Sequence, residues 1–302
     1  MLMSCPPQSS LRYAARLRAT PWATVIRNAW LALLAITFGG MLLPHEWAHA
    51  ARPLLLSVPL LMLAAKDLSH LPDALARTRV ALAGRRWRDL PLAWLPPEAV
   101  GFMRLGHALR CGFVQWLLRR PQPAAPAGTP FGYLQRGAYP TGVAIVLFST
   151  LFELPLDAAV LPLLVKDPAL CRTVHWLMLA GCLSSLVWVL GDRRLVGAGA
   201  HVLDAAALQV RIGARTHGTI PRTAIARCER VREPAAAWCR RHGIAPAAAL
   251  TASPLDKPNL VLILQDGHDA HLTHLGVRRA HLAAVFLYVD DPDALAAALT
   301  TR

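Results

Sequence analysis

Four apolar stretches constrain this chain more than any other feature of its sequence. They cover residues 23–43, 53–65, 141–165 and 173–191. A helix needs about 20 predominantly apolar residues to cross the hydrocarbon core of a membrane, and the second stretch, with 13 residues, is shorter than that. Only 17% of all residues are charged, against about a quarter in soluble domains, and the mean hydropathy is +0.37. The composition therefore indicates a membrane protein.

The distribution of arginine predicts an orientation for these stretches. Arginine is frequent before the first stretch, between the second and the third, and after the fourth, where Arg193 and Arg194 follow Asp192. The connection between the third and fourth stretches contains only Lys166 and Arg172 as basic residues. Basic residues concentrate in cytoplasmic loops. We therefore predict four transmembrane helices, with both termini in the cytoplasm.

The predicted organisation has four parts. Residues 1–66 form an N-terminal segment and a first transmembrane hairpin, and residues 67–139 form a basic cytoplasmic region. Residues 140–194 form a second transmembrane hairpin, and residues 195–302 form a cytoplasmic domain. The predicted fold class is thus an integral membrane α-helical protein with four transmembrane helices and a C-terminal cytoplasmic α+β domain.

The basic cytoplasmic region contains a predicted amphipathic helix. The segment PPEAVGFMRLGHALRCGFVQWLLRRP has apolar residues at helical spacing, starts after Pro97 and stops at Pro121. Because arginines accompany the apolar residues, this helix would suit the surface of the inner leaflet. Packing on the cytoplasmic domain is an equally good interpretation. The following segment, PQPAAPAGTP at residues 121–130, indicates a semi-rigid linker.

The C-terminal part changes in character and alternates like a sheet. The segments ALQVRIG, TIPRTAIARCERV, AALTAS, NLVLILQ, AHLTHLG and AVFLYVD are predicted strands, and EPAAAWCRRHG is a short helix closed by Gly243. The chain closes with PDALAAALTTR, a helix with Asp291 as N-cap and Pro292 at its first position. These patterns predict one sheet with a C-terminal helix.

The run LQVRIGARTHGTIPRTAIARCERV resembles the opening hairpin of bacterial PH-like domains. Such domains often follow transmembrane helices. The chain as a whole resembles a type of proteobacterial membrane protein with four spans and a PH-like C-terminal domain. The resemblance implies an architecture and no particular chemistry.

The segment PHEWAHA contains the pattern H-E-x-x-H, in which two histidines hold zinc and the glutamate activates water. Here the pattern consists of His45, Glu46 and His49, and His175 is a further candidate ligand at the same side of the predicted membrane. The downstream ligands of known zinc peptidase families do not follow it. We favour amphipathic anchoring at the membrane boundary, and keep a zinc-dependent membrane metallopeptidase with Glu46 as its catalytic residue as the enzyme alternative.

Two carboxylates interrupt the third apolar stretch. Glu153 lies near its middle, and Asp157 follows one turn later on the same helical face. Ionisable residues inside a membrane span are costly and often functional. These residues would serve a small proton-coupled transporter element, or would bridge helices as a structural hydrogen bond.

The remaining sequence features reduce the number of functional classes to which the protein can belong. The six cysteines form no C-x-x-C pair, and no nucleotide-binding loop or nucleophile elbow is present. The net charge of +14 is expected to serve anionic lipid rather than nucleic acid. We predict a non-enzymatic scaffold or accessory protein of the bacterial inner membrane that has no cofactor. Zinc would be its cofactor only under the peptidase alternative. Its predicted partners are membrane lipids, anionic inner-leaflet lipid included, and a protein bound by the C-terminal domain. A homo-oligomer remains open.

Overall fold

The computed structural model describes residues 17, 20, 22–42, 45–85, 87, 90–122, 126–267 and 270–300, with residues 23, 37, 39–42 and 45–56 described by their backbone alone. The helices are α1 (Trp22–Leu42), α2 (His45–Ser69), α3 (Leu71–Ala83), α4 (Leu90–Trp94), α5 (Pro97–Leu117), α6 (Tyr139–Leu164), α7 (Pro168–Val196), α8 (Ala235–Arg241) and α9 (Pro292–Thr300). The strands are β1 (Thr129–Gly132), β2 (Ala200–Leu203), β3 (Ala207–Ile212), β4 (Thr216–Pro221), β5 (Ile225–Arg230), β6 (Ala249–Ala252), β7 (Leu260–Leu264), β8 (His271–His274), β9 (Val277–Arg279) and β10 (Ala284–Leu287).

The chain divides into two compact units, Met1–Val100 and Gly101–Arg302. In the first unit, α1 and α2 pack on each other, and α3 packs on α4. The indole of Trp22 stacks on the imidazole of His70, and the ammonium group of Lys66 lies 5.9 Å from the indole centroid. These contacts join the start of α1 to the end of α2.

The prediction of four transmembrane helices is wrong. Among the described residues, two helices are long and apolar enough to cross a membrane, namely α6 and α7. The first predicted span lies in α1, whose continuous run of described side chains includes the apolar stretch Thr24–Ile36. The second predicted span lies in α2, where its 13 apolar residues are bounded by Arg52 and Lys66. Charges at both ends of so short a run prevent it from reaching spanning length.

The distribution of arginine fits two spans as well as it fits four. A single crossing in the first half of the chain would leave basic flanks on both sides of a membrane, which is unfavourable. If neither α1 nor α2 crosses, however, every residue before α6 stays on one side, and the basic flanks stay together as well. The basic residues therefore favour an even number of spans and do not distinguish two from four.

Helices α6 and α7 form an antiparallel pair with largely exposed apolar surfaces. In the most apolar 18-residue window of each helix, only 6% of the residues in α6 and 11% of those in α7 are buried. Leu163 of α6 is 77% exposed, and Leu177 of α7 is 68% exposed. Core helices of soluble proteins bury such residues, whereas helices in lipid expose them. The exposure therefore separates this pair from a buried core hairpin.

The second unit contains a large α+β region with two sheets. The first sheet has the strand order β1-β2-β3-β4-β8-β9 and is antiparallel throughout. The second has the order β5-β7-β10-β6, in which β10 and β6 are parallel and the other pairs antiparallel. The single predicted sheet is thus two sheets. The predicted strand TIPRTAIARCERV is split, because a 3₁₀ turn at Arg222–Ala224 carries the chain from β4 in one sheet to β5 in the other.

The main core lies between the two sheets. Leu208, Val210 and Ile220 of the first sheet belong to one buried cluster with Leu262 and Val285 of the second. Alternate residues of a strand point to opposite faces, so Val261 and Phe286 face away from this core. They form a second cluster with Trp238 and Cys239 of α8, in which the rings of Trp238 and Phe286 meet edge to face. The second sheet is therefore buried on both faces, which explains the uninterrupted apolar run LVLIL in β7.

Several local predictions for this region are confirmed. Helix α5 begins at Pro97, α8 spans Ala235–Arg241, and Gly243 has a positive φ of 66°. Helix α9 begins at Pro292, and the Asp291 side chain accepts a hydrogen bond from the backbone N–H of Ala294 at 3.0 Å, as an N-cap should. Capping and helical periodicity are local signals and were readable for that reason.

The helix pair is inserted between two adjacent strands of the first sheet. Strand β1 precedes α6 and strand β2 follows α7, and the two strands pair antiparallel from Thr129–Leu203 to Gly132–Ala200. The predicted linker at residues 121–130 therefore ends in a strand of the sheet. Both ends of the helix pair leave from neighbouring points on one sheet edge, which fixes the helices to the domain at two positions.

Helices α5 and α7 cross at two glycines. A β-carbon on Gly112 would lie 2.7 Å from the carbonyl oxygen of Gly191, and a β-carbon on Gly191 would collide with the carbonyl oxygen of Leu109. Small residues permit such close approach of helix backbones. The face of α5 with Leu105, Leu109 and Gly112 is consequently buried. This face therefore packs on α7, and it is the start of α5 that packs on the turn between β8 and β9, where a β-carbon on Gly101 would lie 2.5 Å from the carbonyl oxygen of Leu275.

We expect Gly191→Ala to destabilise the second unit by about 2 kcal/mol or more, because the new methyl group overlaps backbone atoms that cannot move independently. Gly181→Ala on the same helix is the matched control, since a β-carbon there meets nothing within 4 Å. That control should be neutral or stabilising by up to about 1 kcal/mol through helix propensity. Thermal unfolding of the full chain in detergent measures both. Equal melting temperatures for the two variants would contradict the close crossing.

His201 of β2 is fully buried in the first sheet. Its Nδ1 atom accepts a hydrogen bond from the backbone N–H of Arg211 at 3.2 Å, and its ring lies 5.1 Å from that of Tyr133. Burial lowers the pKa of His201 from 6.5 to about 4, against a smaller opposing effect of the Tyr288 backbone. The imidazole is therefore neutral at pH 7, with its proton on Nε2.

The burial of His201 makes the stability of the fold sensitive to acid. Between pH 6.5 and about 4, the unfolded chain binds a proton at His201 and the folded chain does not, so stability falls as the pH falls through that interval. The loss amounts to about 3 kcal/mol at the lower end. In His201→Asn, which retains an acceptor for the Arg211 N–H, the pH dependence of the unfolding temperature should flatten. The exposed His217→Asn control should keep the wild-type slope, and an unchanged slope in His201→Asn would refute the assignment.

Candidate functional site at the foot of the helix pair

Three polar side chains meet where the helix pair joins the sheets. Tyr139 is the first residue of α6, Asp192 lies in the last turns of α7, and Arg215 lies in the turn between β3 and β4. The Tyr139 hydroxyl donates a hydrogen bond to Asp192 Oδ2 at 2.8 Å, and Arg215 Nη2 donates to the same oxygen at 3.0 Å. We call these three residues the junction cluster. Because each comes from a different element, the cluster links both helices to the first sheet.

Arg215 makes further contacts that hold it in place. Its Nη1 atom donates to the carbonyl oxygen of Pro254 at 2.7 Å, and its guanidinium carbon lies 5.5 Å from the ring centroid of Tyr139. The side chains of Arg215 and Asp192 are only 23% and 16% exposed. Within the part of the chain that is described, Asp192 Oδ1 and Arg215 Nε are buried without a hydrogen-bond partner. The pair is thus incompletely satisfied, which is unusual away from functional sites.

A cavity of about 230 Å³ adjoins the junction cluster. Its walls come from α5, the first turns of α6, the last turns of α7 and the loop before β7. The lining residues are Leu105, Leu109, Tyr139, Gly142, Val143, Val146, Trp188, Val189, Asp192, Arg215 and Leu255. Apart from the three cluster residues, the lining is apolar. We call this space the junction cavity; one of its walls is polar and the remaining walls are apolar.

Two aspartates from the second sheet's loops hold the segment that leads into α6. Asp290 accepts hydrogen bonds from the backbone N–H groups of Gln135 and Arg136, each at 2.9 Å. Asp256 accepts one from the N–H of Ala138 at 2.8 Å. These carboxylates satisfy backbone N–H groups in the turn before α6, which belong to no helix or strand ladder. The start of α6 is thereby anchored to the domain independently of the junction cluster.

The surroundings of the cluster carry an excess of positive charge. Burial raises the pKa of the nearby Tyr133 phenol well above its usual range, while the positive charges of Arg215, Arg211 and Arg193 act to lower it. The negative charge of Asp192 acts to raise it further. Tyr133 itself donates a hydrogen bond to the carbonyl oxygen of Arg211 at 2.8 Å and is fully buried. Arg193 and Arg194 follow Asp192 directly in the last turn of α7, so two guanidinium groups besides that of Arg215 lie near this carboxylate in the chain.

The two predicted intramembrane carboxylates lie on α6, away from this cluster. Glu153 is exposed, and its Oε2 atom lies 3.9 Å from the Sγ atom of Cys182 on α7, which donates to it. Asp157 is half-buried on the same helix. The contact joins α6 to α7, so the structure agrees with a helix-bridging role without testing a proton-coupled one.

Most of the side chains that the zinc hypothesis involves are not among those that the structure describes. The backbone of His45, Glu46 and His49 is helical at the start of α2, and their side chains lie outside the described part of the structure. His175 is half-buried on α7. Among the described side chains, no group of three histidine, cysteine, aspartate or glutamate residues is arranged to hold a metal ion. The zinc site stays a prediction.

Sequence reasoning missed the junction cluster. From the sequence, Asp192 is named only as the residue before Arg193 and Arg194, and Arg215 is given no role. Tyr139 carried no expectation. The available signal was weak: a carboxylate directly after an apolar stretch is placed to meet a cation, but the sequence does not say which of the many arginines supplies it.

Comparison with protein-family models finds no match for this chain, and comparisons with curated proteins and with solved structures find none either.

We expect Asp192→Asn to cost about 2 kcal/mol of stability, because it leaves the mostly buried Arg215 without a counter-charge. Tyr139→Phe should cost about 1 kcal/mol for one lost hydrogen bond, and the double variant less than the sum of the two. Chemical denaturation of the full chain measures these losses. Glu229→Gln, which breaks the exposed pair with Arg227, is the control and should change stability by less than about 0.5 kcal/mol. Strictly additive losses for Asp192 and Tyr139 would exclude a shared network.

Proposed function

We propose that this protein is a non-enzymatic scaffold or accessory protein of the bacterial inner membrane. In this proposal the α6–α7 pair crosses the membrane and holds the two-sheet domain at the cytoplasmic surface, where that domain binds inner-leaflet lipid or a protein partner. The observation that carries the proposal is the insertion of an exposed apolar helix pair between the paired strands β1 and β2. A domain attached at two adjacent points has a restricted orientation at the surface, which is useful to a scaffold.

The orientation follows from the charges at the two ends of the helix pair. Arg119, Arg120 and Arg136 precede the foot of α6, and Arg193 and Arg194 lie at the foot of α7. The opposite end of the pair has two basic residues, Lys166 and Arg172, with Asp167 between them. The positive-inside rule therefore favours the domain side as cytoplasmic, and with only this pair crossing, the N-terminus lies on the same side.

The exposed face of α5 supports a contact with anionic lipid. Met103, Val114 and Leu117 are 53%, 48% and 60% exposed, and Arg104 and Arg110 lie among them. Apolar side chains interleaved with arginines are typical of helices at a membrane surface. Helix α5 is held against the foot of α7, close to where the proposed membrane surface begins. This role also accords with the resemblance of residues 208–231 to PH-like domains that follow transmembrane helices.

Sided labelling tests the proposal. Lys166→Cys and Ala236→Cys, each in a background without native cysteines, place one thiol in the α6–α7 turn and one on the exposed surface of α8. We expect a membrane-impermeant maleimide to label Lys166→Cys in intact spheroplasts, and Ala236→Cys only after permeabilisation, because a bilayer separates the two sites.

Labelling after detergent solubilisation is the control and should succeed at both positions. Labelling of Ala236→Cys alone before permeabilisation would reverse the proposed orientation. Equal labelling of both positions in intact cells, or of neither, would mean that the helix pair does not separate them across a membrane, and the proposal would fail.

A further inference from the structure

We propose that the junction cavity binds an anionic phospholipid of the inner leaflet, with one acyl chain against its apolar walls and the headgroup beside Arg215 and Arg193. This inference rests on the proposed function, because it requires the α6–α7 pair to stand in a membrane. It goes beyond that function by assigning a specific lipid site to a cavity, rather than a general attraction to a charged surface.

The polar and apolar walls of the cavity are arranged in the order that a membrane lipid requires. Its lining on α6 runs from Tyr139 to Val146, a distance of about 10 Å along the helix. The polar wall is at the foot of the helices, and the apolar wall with Val146 and Trp188 lies towards the part proposed to cross the membrane. A lipid whose headgroup lies at the surface and whose chain points into the membrane matches this order of polar and apolar groups.

The size of the cavity limits what it holds. An apolar cavity of about 150 Å³ accommodates one benzene molecule, and pockets for drug-sized ligands start at about 300 Å³. At about 230 Å³, the junction cavity suits the first part of one alkyl chain and excludes two chains side by side. The second chain of a phospholipid would remain in the bilayer along the exposed surface of the helix pair.

The charges near the polar wall favour an anionic headgroup. Arg215 pairs with Asp192 in the cavity lining at 3.0 Å, and Arg193 and Arg194 follow Asp192 directly in the last turn of α7, so guanidinium groups outnumber the carboxylate at this wall. Arg193 is exposed, and one of its amino groups donates to the carbonyl oxygen of Gly197 at 2.9 Å, which leaves other donors of the same guanidinium for a ligand. Guanidinium groups match phosphate geometry better than ammonium groups do.

The two-sheet domain itself contributes one wall of the cavity. Leu255, in the loop between β6 and β7, is 60% exposed, and a β-carbon on Gly142 would lie only 2.6 Å from the Cδ1 atom of this leucine. The same loop supplies the Pro254 carbonyl oxygen that binds Arg215. A lipid in the cavity would therefore contact the domain as well as the helices, and would add to the attachment of one to the other.

Photocrosslinking in vesicles tests this site. The full chain is reconstituted into phosphatidylcholine vesicles with a small fraction of phosphatidylglycerol that carries a diazirine in one acyl chain, and adducts are mapped by mass spectrometry. We expect adducts at Val146 and Trp188, and a loss of at least about fivefold at these positions in Val189→Phe, which fills the cavity. Leu183→Phe, on α7 but outside the cavity, is the matched control and should keep the wild-type yield.

A second variant, Val143→Leu, fills part of the cavity from the opposite wall by a single methylene group. It keeps the test decisive if the larger substitution Val189→Phe misfolds. It should lower the same adducts while the melting temperature stays near that of the wild type. A phosphatidylcholine probe with the same diazirine chain should crosslink less at Trp188, because it lacks net negative charge. Equal yields from the two probes would overturn the anionic headgroup, and equal yields in Val189→Phe and Leu183→Phe would overturn the site.

Adducts at Leu151 and Leu163 separate this inference from the function it rests on. Both side chains are exposed on α6, at 68% and 77%, and lie outside the cavity. If the probe labels them but not Val146 and Trp188, the helix pair is in the bilayer and only the lipid site is wrong. If the probe labels none of these positions, the membrane proposal itself is wrong.

Discussion

The pairing of β1 with β2 is the interaction on which the arrangement of the second unit depends. These strands are neighbours in the sheet, yet the whole α6–α7 pair lies between them in the chain. Their antiparallel register brings the start of α6 and the end of α7 to the same edge of the sheet. Without this pairing, the segment before α6 would be held to the domain by fewer contacts, such as those of Asp290 and Asp256, and the position of Tyr139 in the junction cluster would be less restrained.

Three further contacts act on the same junction and differ in physical kind. The α5–α7 crossing depends on the absence of side chains at Gly112 and Gly191, so it depends on shape alone. Asp290 and Asp256 accept hydrogen bonds from backbone N–H groups in the turn before α6, so they fix the path of the chain into that helix. The junction cluster adds a mostly buried ion pair, whose value depends on both partners being present. The first contact holds α7 against α5, the second holds the segment before α6 against loops of the second sheet, and the third holds both helices against the first sheet. Loss of any one of them leaves the other two in place.

The carboxylates within α6 and the carboxylate at the end of α7 have different surroundings. Glu153 and Asp157 interrupt an apolar helix, where an ionised group is costly without a partner, and Glu153 meets the thiol of Cys182. Asp192 lies at the end of the neighbouring helix, where it meets a guanidinium and a phenol within hydrogen-bonding distance. The second arrangement adjoins the junction cavity, and it therefore supports a binding role directly.

The sequence by itself determined the local features of this protein. The apolar stretches that became α6 and α7, the alternation in β3, the apolar run in β7, and the Asp291 cap of α9 all follow from spacing and side-chain chemistry within a few residues. Only the tertiary structure decided the division into two sheets and the pairing of β1 with β2. Strand β1 has the sequence TPFG, with a proline and a glycine that disfavour a strand, so its pairing across the helix pair left no local signal. The junction cluster was hidden for the same reason, because its members come from three elements that meet only after that pairing forms.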